Sequence, residues 1–72
     1  MKLQQHKQYT TKIGNIVECL AVQKDGEGVE YALCAYKAIK AAGFENLKNM
    51  AQKWSMDGKW LAFPGGIHDI VE

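Results

Sequence analysis

Apolar residues recur along this chain at intervals that suggest helices. From Ile13 onward they fall at Ile16, Val17, Leu20 and Ala21, with Lys12, Asn15, Glu18 and Gln23 between them. That is the i, i+3, i+4, i+7 spacing of one helical face, so residues 11–23 are expected to be a helix. A rival reading stays open: the β-branched content of this stretch and the following Asp25-Gly26 pair also suit a hairpin of residues 15–23 with 29–36. Residues 28–42 tilt the balance toward helix. They contain five alanines, Leu33 and Glu30, with Asp25 placed to cap, Lys37 and Lys40 at the far end and Gly43 to stop the element. A third amphipathic stretch, residues 45–54, sets Leu47, Met50, Ala51 and Trp54 against Lys48, Asn49, Gln52 and Lys53.

After Trp54 the pattern changes. Asp57-Gly58 marks a tight turn, residues 59–63 read as a short strand, and Pro64-Gly65-Gly66 forces a second turn before residues 67–71. Asp57-Gly58 also permits residues 53–56 to pair with 59–62 at the expense of the third helix. The expected fold is therefore α+β and helix-dominated: three short helices with a small C-terminal β-hairpin, in one domain over residues 1–72, with residues 1–10 as a flexible lead-in.

On a helical wheel, residues 28–42 are apolar on two sides. Val29, Ala32, Leu33, Tyr36 and Ile39 make the core face, while Tyr31, Cys34, Ala38 and Ala41 fall opposite. A helix buried all round needs a second covering. Either Trp60, Leu61 and Phe63 fold over it, or another chain does, which makes a homodimer or a docked protein the expected partner. Tyr31, Cys34, Ala38 and Ala41, with Lys59, Trp60 and Phe63 at a sheet edge, are the candidate protein-interface residues.

Composition narrows the chemistry. The 72 residues carry nine basic and eight acidic side chains, a net charge of +1 that selects no partner by bulk field. Every basic residue is lysine; without arginine the bidentate fork suited to phosphate and guanine is missing. A nucleic-acid reading remains as the alternative. Three helices and a hairpin have a winged-helix layout, with Lys48, Asn49, Gln52, Lys53 and Lys59 reading bases or neutralising phosphates.

Ser55 is the only serine, and neither His6 nor His68 stands in a motif with it, which argues against a serine hydrolase. Cys19 and Cys34 form no C-x-x-C pair. They read as reduced, partly buried small hydrophobes, though one disulfide between them stays open. No spacing suggests a metal site, and Gly26-Glu27-Gly28 lacks the lysine and third glycine of a phosphate loop and reads as a flexible helix start. His6 reads as solvated and His68 as a turn or surface residue. No cofactor and no enzymatic activity are expected, and with no signal-like or membrane-spanning stretch the expected location is cytoplasmic. In its brevity, lack of catalytic apparatus and two-sided helix, the chain resembles the small accessory proteins of phages and mobile elements, including anti-CRISPR and other anti-defence inhibitors. That resemblance implies a protein that acts by occluding a larger host machine.

Overall fold

The structure, a computed structural model, describes residues 2–71. It overturns the helical expectation. Four strands, β1 (Gln8–Thr10), β2 (Ile16–Lys24), β3 (Glu30–Ala38) and β4 (Ala51–Ser55), form one antiparallel sheet in the order β1-β2-β3-β4. The only helical element among the described residues is a 3₁₀ turn at Glu45–Leu47. Met1 and Glu72, the ends of the expected domain, lie outside the described residues.

The expected helices over 11–23 and 28–42 are instead the two central strands, joined as in the rival hairpin. Asp25 does not cap a helix. Its Oδ1 accepts the N–H groups of Glu27 (2.8 Å) and Val29 (3.0 Å), and its own N–H donates to the Val29 carbonyl at 3.0 Å. Gly28 closes this turn at φ 82°, a conformation that other residues rarely adopt. The supposed flexible helix start is thus the β2–β3 turn.

Alanine content favours helix only where packing does not decide otherwise. Here packing decides. Ala32 stands opposite Trp54 in the β3–β4 register, so a small side chain on one strand makes room for an indole on the next. Val17 and Cys19 on β2, Ala32, Cys34 and Tyr36 on β3, and Trp54 on β4 are all buried and belong to one cluster with Leu3, Tyr9 and Ile70. Successive strand side chains alternate between faces, so one face of the sheet is core.

The third expected helix, 45–54, is also corrected. Asn49 takes φ 69°, a left-handed conformation that stops the 3₁₀ turn and redirects the chain into β4. The expected C-terminal hairpin does not form either. Trp60 pairs with Trp54 in an isolated bridge, with Ser55 N–H donating to Lys59 C=O at 2.8 Å and Leu61 N–H to Lys53 C=O at 3.0 Å. This is the alternative pairing that Asp57-Gly58 permits. Residues 62–69 then run as successive turns beneath the sheet, and Ile70 bridges back to Thr11. The lead-in packs as well: Leu3 is buried, and its N–H donates to Met56 C=O at 3.0 Å.

A buried asparagine ties the loops at one end together. The Asn15 side chain, fully enclosed, accepts the N–H groups of Lys40 (2.9 Å) and Ala41 (3.1 Å) at Oδ1. It joins the β1–β2 turn to the chain leaving β3. No described helix is long and apolar enough to cross a membrane.

Candidate functional site

The predicted interface of Tyr31, Cys34, Ala38 and Ala41 does not exist as a surface, because the element that would align them is a strand. Tyr31 lies on the open face, half-buried, its hydroxyl donating to Gln23 Oε1 at 2.9 Å. Cys34 lies on the core face with no exposure. Ala38 ends β3, and Ala41 is in the following loop, held by Asn15. The argument for a homodimer from an uncovered helix face falls away with that helix.

The candidate nucleic-acid residues do not share a face either. Gln52 points to the core side, where its Oε1 accepts the Trp60 indole N–H at 3.1 Å. Lys53, its neighbour on the strand, points to the open face, with Nζ 5.0 Å from the Tyr31 ring centroid. Lys48 and Asn49 sit in the loop before β4, and Lys59 follows the next turn. A winged-helix layout needs a recognition helix, and the described residues contain none.

What the fold does bring together is the β4 edge and the segment from Lys59 to Ile67. The segment is held by a buried carboxylate. Asp69, 2% exposed, accepts the Trp60 N–H at Oδ1 and the Gly65 N–H at Oδ2, both at 2.9 Å, with Lys59 Nζ 3.8 Å from Oδ2. Behind it, the Trp54 indole N–H donates to the His68 carbonyl at 2.8 Å. The His68 ring, half-buried rather than a plain surface group, packs 4.5 Å from Trp60 and 5.6 Å from Phe44 between ring centroids, and Nδ1 is 3.1 Å from the Tyr36 hydroxyl. Burial pushes the Tyr36 hydroxyl up to about 12, so it is neutral over the ordinary pH range.

This clamp leaves two features outside. One is apolar: Phe63 is 71% exposed, flanked by Pro64 and by Leu61 and Ile67, which are nearly half exposed. The other is backbone. Along β4, residues 51, 53 and 55 direct their N–H and C=O groups away from β3, and the 59–61 segment satisfies only the Ser55 N–H and the Lys53 C=O. The N–H and C=O of Ala51 and the N–H of Lys53 have no backbone partner among the described residues. Beside them lies a groove of about 430 Å³ lined by Ala51, Gln52, Lys53, Leu61 and Ala62. Lys53 and Leu61 also line a second hollow of about 310 Å³ that includes Val29, Tyr31 and Ser55.

Comparison with protein-family models, curated proteins and solved structures gives no match.

Lys59, Trp60 and Phe63, expected at a sheet edge, do lie next to one, but in different roles. Trp60 is half-buried against Trp54 and His68, Lys59 pairs with Asp69, and Phe63 alone of the three is largely free. Asp69 went unnoticed in the sequence, where the adjacent His68-Asp69 pair draws attention only as metal ligands. The signal that points to its role is the run of backbone-bending residues before it, Pro64-Gly65-Gly66, since tight turns leave N–H groups that a nearby carboxylate can accept.

Proposed function

We propose that the chain is a small non-enzymatic binding module that docks on a larger protein. It receives an extended segment of that partner along the free part of β4 and places Phe63 in an apolar pocket of the same partner. The observation that carries this reading is the unpaired β4 edge at Ala51 and Lys53, lying in a groove beside an exposed aromatic whose loop is fixed by Asp69. Strand addition at an exposed edge supplies main-chain hydrogen bonds, and side-chain pockets next to the edge supply selectivity. A large aromatic held in one place before binding loses little freedom when it docks, which is the usual property of a dominant contact residue. The free edge is short because residues 59–61 cover its far end, so it suits a brief extended segment better than a long strand. A module of this size acts most simply by occlusion, as an accessory or inhibitor protein does.

Affinity capture from a lysate of the source organism, with nuclease present, tests the reading. It uses the wild-type chain, Ala51→Pro and Phe63→Ala. Proline at 51 removes an outward N–H while leaving the bonds to β3 in place. The expected result is a retained protein whose binding falls at least about tenfold in both variants, with unchanged circular dichroism. Capture indifferent to both substitutions would overturn the reading. Capture that vanishes with nuclease would replace it with nucleic-acid binding.

A further inference from the structure

The two cysteines, with fourteen residues between them in the chain, are brought into direct opposition: Cys19 on β2 is the register partner of Cys34 on β3. The backbone decides what kind of pair this is. The Cys19 N–H donates to Lys7 C=O at 3.0 Å, and its C=O accepts the His6 N–H at 2.7 Å, so both groups face away from β3. The pair is therefore of the non-hydrogen-bonded type, in which opposed Cα atoms are only about 4.5 Å apart and the side chains lie close together. Disulfides span Cα separations of about 4.4–6.8 Å, so the site meets that requirement at its short end. Both side chains sit on the core face with no exposure, and both are free thiols. A β-bulge follows at once, between Cys19 and Ala21, and gives this part of β2 room to adjust its twist.

We propose that Cys19 and Cys34 are a cross-strand disulfide site, closed by exchange with a small-molecule disulfide of the glutathione class while β2 and β3 are apart and sealed into the core when they pair. The thiolate of one cysteine attacks a sulfur of the oxidised reagent, forming a mixed disulfide and expelling one reagent thiolate. The thiolate of the second cysteine then attacks the protein-side sulfur and expels the other. Two S–H bonds are lost and one S–S bond forms. Two electrons pass to the reagent, which leaves as two thiols carrying the two protons. In the folded dithiol, burial raises both thiol pKa values, that of Cys34 to about 12, so almost no thiolate is present and the pair does not react in place. The state of the bond thus records the redox conditions under which the chain folded.

The test compares the full chain unfolded in denaturant and refolded in oxidised and reduced glutathione with native chain held in the same buffer. Thiols are counted by alkylation and mass. The expected product of refolding is a monomer with both thiols lost, no glutathione attached and a wild-type circular dichroism spectrum. Its thermal midpoint should lie roughly 10–20 °C above that of the reduced chain. The native sample should keep both thiols. Cys19→Ala and Cys34→Ala, each replacing a buried small side chain with another, should form no internal disulfide and show no rise in midpoint after oxidative refolding. Refolded wild-type chain that retains both thiols, carries two glutathiones, pairs between molecules or melts below the reduced form would overturn the proposal. Native chain that oxidises as fast as unfolded chain would overturn the sealing step.

Discussion

The β2–β3 hairpin and the segment from Met56 to Val71 hold their shapes by opposite means. In the hairpin, eight register pairs share the load, the turn is closed by one aspartate, and buried side chains alternate with half-exposed ones. In the C-terminal segment there is no ladder. Its path is fixed at separate points: the Asp69 carboxylate on Trp60 and Gly65, the Trp54 indole on the His68 carbonyl, and main-chain bonds that include those from Ile70 to Gly58, from Val71 to Thr10, from Lys12 to Asp69 and from Ile13 to Ile67. A ladder can lose one bond and keep its form, whereas a segment pinned at a few points changes shape when one pin is removed. The same contrast explains where an exposed aromatic can be carried. A turn pinned from beneath can present Phe63 to solvent, while a strand in the ladder presents its apolar side chains to the core.

Trp54, on β4 between the two regions, packs against both, so its loss should have the largest effect. It is fully buried, meets Tyr36 edge to face at 5.8 Å and holds the His68 carbonyl. Trp54→Ala should cost about 3–5 kcal/mol in urea unfolding, most of the stability available to so small a domain. Trp54→Phe separates the two regions. It keeps a ring in the core but drops the indole N–H, so amide exchange should accelerate in residues 60–71 and stay slow in β2 and β3. Equal acceleration in both would mean that the two regions open as one unit.

Alkaline pH attacks the hairpin side. The hydroxyl of Tyr36 rises from an ordinary 10 to about 12 and the thiol of Cys34 from 9.0 to about 12, each chiefly by burial. Both groups hold their protons more tightly folded than unfolded, so the folded state binds more protons once the unfolded groups begin to ionise. Their contribution is complete below about pH 9 and is lost as pH rises from 9 through 12. The Tyr36 shift corresponds to about 2–3 kcal/mol. Thermal midpoints measured from pH 7 to pH 12 should be level and then fall, and in Tyr36→Phe the fall should be shallower.

Removing a pin should cost less and act locally. Asp69→Ala leaves the Trp60 and Gly65 N–H groups without their acceptor, a loss of about 1–3 kcal/mol. The amides of residues 60–66 should exchange much faster, while those of β2 and β3 change little. A uniform loss of protection would place Asp69 in the common core and remove the distinction drawn between the regions.

The two regions also differ in how far the sequence reveals them. The turn chemistry at Asp25-Gly26, Asp57-Gly58 and Pro64-Gly65-Gly66 was legible, and so was the hairpin, as a rival to the helix. The strands themselves were hidden by two features. Register shifts at Ile16/Val17 and Cys19/Ala21 break the period of two in β2, so its apolar residues fall at helical intervals. In β3, residues on the open face are as apolar as those on the core face: Leu33 and Ala35 alternate with the core residues Ala32, Cys34 and Tyr36, and Ala35 is only 5% exposed. With both faces apolar and alanine abundant, neither alternation nor propensity marks a strand. The β4 edge and the Trp54 bond to the His68 carbonyl depend on contacts between residues far apart in the chain; local signals existed only for the Trp54–Trp60 pairing, at Asp57-Gly58, and for the Asp69 pin, at Pro64-Gly65-Gly66.

The smallest expected effect on stability belongs to the residue with the largest expected effect on binding. Phe63 lies outside both the ladder and the pins. No hydrogen bond that fixes the loop passes through its side chain, and Gly66 lies beside its ring, where an added Cβ would stand 3.5 Å from ring Cδ2. Phe63→Ser should therefore shift unfolding free energy by no more than about 0.5 kcal/mol, and removing an exposed apolar ring should make the chain more soluble. If Phe63 instead supports the loop, the substitution will speed exchange at Gly65 and Trp60 as Asp69→Ala does. Paired measurement of unfolding and of partner capture separates the two roles. Stability unchanged with capture lost assigns Phe63 to the partner. Stability and capture falling together make it a further pin of the C-terminal segment, and the contact surface must then be sought along β4 alone.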